Sequence, residues 1–371
     1  MNRTWRRHRS KAPSSARHKN VPSAALIVPG SLETRTGGYI YDRRIVEGLR
    51  RRGWSMQVVE LDGSFPYPTA AALEQAASGL GAMPAGDLVI VDSLALGAMA
   101  DVISREASRL LFVALVHLPL AADRTLDHDT AARFAEAERR ALGAARLVVV
   151  TGAAALPFLD RYGLSSERVI VVEPGTDRAP VARGSNRGPL TLLSVATLHP
   201  GKGHEILLAA LAAVRYHEWR LICAGSLTRH PATVDRVRAL VQELKLEDRV
   251  SLVGDLDESR LAKMYDGADA FVSASVQETY GMAVAEALSR GLPVVATITG
   301  AARELVGETA GLLVPAGDVS ALAAALSRVL GDADLRARLA EGARHVRERL
   351  PDWKQAAARM AAALESLDAH D

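Results

Sequence analysis

The chain of 371 residues has one cysteine, few aromatic residues and no apolar stretch approaching the length of a membrane span. A lone cysteine forms no intrachain disulfide. Cys223 lies in the strand-like run WRLICAG (219–225) and reads as a small buried apolar side chain in a reducing, cytoplasmic setting. The longest apolar runs, such as LLFVALV (110–116), fall well short of the roughly 18 residues that a spanning helix needs, which implies a soluble or peripheral protein. An excess of charge of one sign is also missing. There are 45 basic and 43 acidic residues, a net charge of +2, and no basic cluster interleaved with aromatics, so nucleic acid is not an expected partner. The phosphate loop G-x-x-x-x-G-K-[ST] is absent, and no G-x-G-x-x-G follows the first strand. Residues 1–20 carry Arg and Lys with no acid and no apolar core, and read as a disordered basic tail, not a secretory signal.

What is present is a regular alternation. Short β-branched runs alternate with helical stretches rich in Ala and Leu, the signature of parallel sheets covered by helices. The first series of strands is expected at 24–30, 56–61, 87–91, 110–116, 146–150 and 168–172. The second is expected at 190–196, 219–225, 249–254, 269–274, 293–297 and 311–316. Between them, EPGTDRAPVARGSNRGP (173–189) breaks every periodicity and reads as a linker. With 49% hydrophobic residues the chain can form two cores, so the expected fold class is α/β, with two Rossmann-like doubly wound domains facing a central cleft. Their expected bounds are 21–178 and 179–350, followed by a terminal helix over 351–371.

Ligands of doubly wound sheets sit beyond the carboxyl ends of the strands, so the residues that follow each strand are the candidates. In QETYGMAVAEALSRGLPVVAT (277–297), Glu278 and Glu286 stand eight residues apart around Gly281. From Met282 to Leu288 every residue except Glu286 is apolar, and an ionised carboxylate in such a helix needs partners. It is either paired with a structural arginine or turned toward a hydroxyl-rich ligand such as a ribose. The amides of Gly281 and Met282 open this helix, where partial positive charge collects and an anion binds well. Gly37 and Gly38 end a polar loop at the start of an earlier helix, and Lys202 sits in a glycine-rich loop after a strand. His117 closes the run LLFVALVH, again at a strand end. Asp257, in the D-x-D of Asp255 to Asp257, is better placed as a helix cap than as a metal ligand. The helix over 39–54 carries Arg43, Arg44, Arg50, Arg51 and Arg52 beside an apolar face. That pattern is usually a solvated face, and its second reading is peripheral contact with anionic membrane at the inner face.

The order of these pieces resembles family 4 of the retaining glycosyltransferases, which have the two-domain GT-B architecture. The resemblance rests on E-x7-E at Glu278 and Glu286 within ETYGMAVAEALSRGLPVVAT, with GG at 37–38, KG at 202–203, GAARELVGETAGLLVPAGD (300–318) and the terminal helix DWKQAAARMAAALESL as support. It implies a glycosyltransferase that moves a hexose-type sugar, with retention and without a metal, from a nucleotide-diphosphate sugar to an acceptor hydroxyl, and that needs no separate cofactor. It further implies that Glu278 holds donor-sugar hydroxyls, Glu286 the ribose, and the amides of Gly281 and Met282 the sugar or phosphate. Lys202 would neutralise the diphosphate, Gly37 and Gly38 would complete its cradle, His117 would contact the sugar near the reacting carbon, and backbone near Leu256 would meet the base.

One position departs from the pattern. Thr197 occupies the place where the family commonly has an arginine two residues after the strand, so the diphosphate clamp lacks a cation, with Arg303 a candidate substitute by position alone. That departure motivates the alternative expectation, a sugar-nucleotide-binding protein with little or no catalysis. A phosphorylase-like GT-B enzyme is a third.

Overall fold

A computed structural model describes residues 21–185 and 187–368. The tail expected over 1–20 lies outside the described residues. The chain divides into two compact units: the first runs up to Pro174 and includes the segment from Trp353 onward, and the second is Gly175–Asp352.

The first unit is built on six parallel strands: β1 (Ser23–Pro29), β2 (Ser55–Leu61), β3 (Leu88–Asp92), β4 (Leu111–Val116), β5 (Leu147–Val150) and β6 (Val169–Val171), in the order β2-β1-β3-β4-β5-β6. The second carries β7 (Leu190–Val195), β8 (Trp219–Ala224), β9 (Val250–Gly254), β10 (Ala270–Ser273), β11 (Val294–Thr297) and β12 (Gly311–Val314), in the order β12-β11-β10-β7-β8-β9 and also all parallel. Both sheets are doubly wound, as the alternation in sequence implies. Strands covered on both faces need apolar side chains at every position, which is why β5 is buried at all four residues and β4 at five of six.

The strand order reverses between β1 and β3 in the first sheet and between β7 and β10 in the second. At a reversal the helices that follow the two neighbouring strands leave toward opposite faces, which opens a crevice at the strand ends. Every candidate residue of the glycine loops and of E-x7-E lies in a segment that follows β1, β7 or β10, and His117 follows β4.

The stretch 173–189 contains no regular element among its described residues, yet it is tied to the second unit. The amides of Arg183 and Gly184 donate to the Asp266 carbonyl, and Ala182 N donates to Arg290 O. The Asp269 carboxylate accepts from the amides of Ser185 and Thr191 at 3.1 and 2.7 Å. Proline and glycine removed the periodicity of this segment without removing its partners. Where the second unit closes on itself, Thr176 N donates to Pro351 O at 2.7 Å.

The terminal helix, Trp353–Asp368, belongs to the first unit and packs on the helix Gly37–Arg51. Contact is close enough that a Cβ at Gly48 would stand 2.4 Å from the Ala357 Cβ. Trp353 meets the ring of Tyr41 edge-on, and the Arg44 guanidinium lies 5.9 Å above the Trp353 ring. Other arginines of this basic helix are also engaged with their own chain: Arg43 donates to Leu32 O, Arg50 to Met56 O and Arg51 to Glu47. No helix among the described residues is long and apolar enough to cross a membrane.

Alanine normally stabilises a helix interior by about 0.5–1 kcal/mol relative to glycine. At Gly48 the sign should invert, because overlap with Ala357 costs about 1–3 kcal/mol of overpacking. Gly48→Ala is therefore expected to lower the melting temperature of the full chain, as read by calorimetry.

Candidate functional site

In the second unit the loop after β7 makes a single 3-10 turn, Pro200–Lys202, before the helix His204–Ala213. The His199 Nδ1 accepts from Gly201 N and caps the turn. Gly203 follows with φ of +65°, and a Cβ there would stand 2.0 Å from the carbonyl oxygen of Ala274, just past β10. The two loops are thus in backbone contact, and Val276 N donates to Gly201 O at 2.9 Å. This docking brings Lys202 to Glu278: the ammonium donates to Oε1 at 2.6 Å, and Ser275 Oγ donates to the same oxygen at 2.9 Å. Both side chains keep some access to solvent, 30% for Lys202 and 22% for Glu278. From the other side Gly300, with φ of +54°, holds the loop after β11 against Glu278, a Cβ there standing 3.0 Å from the Glu278 Cβ.

Gly281 precedes the helix Met282–Ser289 with φ of +103°, a conformation that side chains disfavour whatever the space around them. Glu286, half-buried on this helix, accepts from the Tyr265 hydroxyl at 2.9 Å. Tyr265 is fully buried, stacks on Phe271, and has the Arg290 guanidinium 4.8 Å from its ring centre. Burial first, and Glu286 second, hold the phenol far above its ordinary range, so it remains a hydrogen donor. The lone carboxylate of an apolar helix is thus oriented by a phenol. Leu256 is half-buried just before the helix Glu258–Asp266, which Asp257 caps by accepting from Arg260 N at 2.8 Å. Thr197 is half-buried between two amides, Ala196 N and Leu198 N, that donate to Ala224 O and Ser226 O. Arg303 is exposed on the short helix Ala302–Val306.

In the first unit Gly37 and Gly38 open the helix Gly37–Arg51, and a Cβ at Gly38 would lie 3.2 Å from the His117 ring. His117 Nε2 lies 2.9 Å from Asp42 Oδ1 and 3.3 Å from Asp92 Oδ2. Asp42 is completely buried on the apolar stripe of the helix, whereas Asp92 ends β3 and uses its other oxygen to accept from Leu94 N at 2.6 Å. Burial raises Asp42 to about 6, with Asp92 adding to the rise and His117 opposing it. For His117 burial works downward, but Asp42 and then Asp92 outweigh it and raise the imidazole to about 10.

Of the residues expected from sequence, Lys202 and Glu278 bond directly, Gly281 and Met282 begin the same helix that carries Glu286, and Gly38 touches His117. Asp42, Asp92, Ser275 and Tyr265 were not expected. An acid on an apolar helix stripe marks Asp42, and an acid at the junction of a strand and a helix marks Asp92; Ser275 and Tyr265 carry no comparable signal.

The family described as "Glycosyl transferases group 1" matches residues 176–346, nearly all of the second unit. Over that unit the chain is similar to the group 1 glycosyl transferases. Among related sequences, a D-inositol 3-phosphate glycosyltransferase of Xylanimonas cellulosilytica is 34% identical over 231 residues, 58% of this chain and 55% of that one. The same named enzyme of Acidothermus cellulolyticus is 32% identical over 272 residues, 65% of this chain and 59% of that one. The chain thus spans about half the length of the curated relatives it matches. In fold it is similar to a sucrose-phosphate synthase from Thermosynechococcus elongatus, with TM-score 0.80 at 24% identity over 94% of this chain and all of the other. It is also similar to Anabaena Alr3699/HepE in complex with UDP-glucose, with TM-score 0.75 at 20% identity over 93% and 99%. The two parallel six-stranded sheets with their flanking helices match those solved structures and form the GT-B fold.

Gly203→Ala combines a left-handed backbone with a blocked Cβ and is expected to cost about 3 kcal/mol or more in denaturant unfolding. Tyr265→Phe removes a donor to a carboxylate and should cost about 1–2 kcal/mol. In a double-mutant cycle with Glu286→Gln the two losses should couple by about 1 kcal/mol.

Proposed function

We propose that this chain is a group 1 glycosyl transferase that moves a hexose-type sugar from a nucleotide-diphosphate sugar to an acceptor hydroxyl, with retention at the anomeric carbon and no metal in the transfer. The observation that carries the reading is the Lys202–Glu278 pair at the strand reversal of the second unit, beside the glycine-opened helix of Glu286. The reading assigns the donor to this unit and the acceptor to the first. Support for a nucleotide sugar comes from the fold neighbour that carries UDP-glucose.

The chemistry follows from charge. Breaking the anomeric bond moves negative charge onto the departing diphosphate, and fixed donors aimed at that charge lower the barrier. Lys202 and the amides of Gly281 and Met282 are those donors, Glu278 accepts from sugar hydroxyls, and Glu286 accepts from the ribose. The base lies against backbone near Leu256. In this reading the acceptor attacks the face that the leaving group vacates, and a phosphate oxygen of the leaving group takes the acceptor proton, so neither glutamate is a general base. The Gly37–Gly38 turn and His117 offer donors at the carboxyl edge of the first sheet.

Thr197 favours a second reading, binding without useful turnover, because the clamp has no arginine there. One charge pair near 4 Å at an effective dielectric of about 20 is worth about 4 kcal/mol, which spans the difference between a working and a silent enzyme. Peripheral contact with anionic membrane has less to support it, since Arg43, Arg50 and Arg51 already bond within the chain.

A thermal-shift screen over nucleotide sugars identifies the donor, because a ligand stabilises by RT ln(1 + [L]/Kd). With that donor, Lys202→Ala and Glu278→Ala should each lower turnover by about 100-fold or more. Their pair is partly exposed, so each should change stability by only about 1 kcal/mol. Near-normal turnover in both variants sinks the assignment, and stabilisation by a donor with neither hydrolysis nor transfer selects the binding protein.

A further inference from the structure

Asp42 is an expensive residue in its place. It occupies the apolar stripe of the helix Gly37–Arg51 among Tyr41, Ile45, Val46 and Leu49, fully buried, and its Oδ2 makes no hydrogen bond. A buried ion pair is commonly no more stabilising than an apolar residue of similar size, so packing alone would favour a hydrophobic side chain at position 42. What the carboxylate does instead is meet His117, on the side of the ring where Asp92 also arrives, already oriented by its bond from Leu94 N.

We propose that Asp42 and Asp92 are positioning residues that hold His117 as a cation, turned so that its Nδ1–H is the donor offered to an oxygen of the bound ligand. Both carboxylates approach Nε2, which commits that nitrogen to the protein and leaves Nδ1 as the ring's other donor. The ring is held from its other sides as well: Tyr41 meets it edge-on at 5.4 Å, with its own hydroxyl bonded to Val172 O, and Gly38 leaves room for it at the start of the helix. The titratable groups facing the ring are thus Asp42, Tyr41 and Asp92, and Tyr41 is kept neutral by burial and by Asp42. A divalent cation is the competing occupant, because the three side chains bring one ligand atom each within 4.8 Å of the others. Nε2 is in hydrogen-bond contact with Asp42 Oδ1 at 2.9 Å, with Asp92 Oδ2 at ion-pair distance, 3.3 Å, so a proton fills the place that the cation would take. The role of His117 toward a ligand rests on the transferase reading; its charge state does not.

The test is a pH titration of the full chain labelled with ¹⁵N in its histidine rings, with His117 assigned by its loss in His117→Gln. The expected wild-type result is a His117 ring with protons on both nitrogens from pH 6 to beyond pH 8.5. In Asp42→Asn the titration midpoint should fall by about one pH unit or more, since an adjacent carboxylate shifts a partner by that amount. Asp92→Asn should move it the same way and serves if Asp42→Asn does not fold. A wild-type midpoint near 6.5, or one that neither substitution moves, overturns the proposal. So does stoichiometric Zn²⁺ or Mn²⁺ uptake that displaces the Nε2 proton and is lost in His117→Gln. Failure of the transferase reading would appear separately, as no donor stabilising the chain while His117 still holds its proton.

Discussion

A carbonyl oxygen sets the geometry of the second unit. Ala274 O lies where any side chain at position 203 would have to begin, and only glycine, in its left-handed conformation, lets the loop after β7 come down onto the backbone after β10. The amide of Val276 then reaches Gly201 O, and Lys202 arrives within 2.6 Å of Glu278. The ion pair is a consequence of this docking and not its cause, because a pair with 30% and 22% exposure stabilises by roughly 1 kcal/mol or less. The strand order makes the docking available: β7 and β10 are neighbours only because the sheet reverses there.

The first unit solves a similar problem with opposite energetics. Its reversal lies between β1 and β3, Gly38 is the close-contact glycine, and the cation is His117, with two carboxylates at its Nε2. Lys202 can exchange Glu278 for a ligand at little cost, since water already reaches both. Asp42 has no such freedom, because a fully buried carboxylate that loses its partner keeps the whole desolvation cost. One unit therefore carries an exchangeable charge pair and the other a permanent one.

Much of this was legible in the sequence, for identifiable reasons. Strands of a parallel sheet must be apolar on both faces, so all twelve runs stand out and differ from the observed strands by one or two residues at their ends. Glu278 and Glu286 are visible because an acid inside an apolar helix, or beside a glycine at a strand end, breaks a local pattern. Cys223 is buried, and burial pushes its thiol up to about 12, as its apolar run implied. What was hidden depends on distant partners. Asp42 and His117 are 75 residues apart, and only the sheet order joins them. Tyr265 precedes its carboxylate by 21 residues and reads like any other core aromatic. The segment 173–189 misleads in the other direction: composition reports the loss of periodicity, whereas its attachment is decided by Asp266 and Asp269, far along the chain.

The threonine at 197 acquires a meaning when the charges of the second unit are taken together. With no arginine there, the cation after β7 is Lys202, and its charge is already met by Glu278. An approaching diphosphate gains little from an ammonium whose field is cancelled by a carboxylate at hydrogen-bond distance. The attraction is released only when something else occupies Glu278, and a carboxylate with a serine already on one oxygen accepts best from hydroxyl donors. Under the proposed reading a ligand must therefore bring both parts at once, hydroxyls for Glu278 and phosphate for Lys202. On that reading an arginine at 197 would hold a bare nucleotide diphosphate on its own charge, whereas a threonine would make phosphate binding conditional on the sugar.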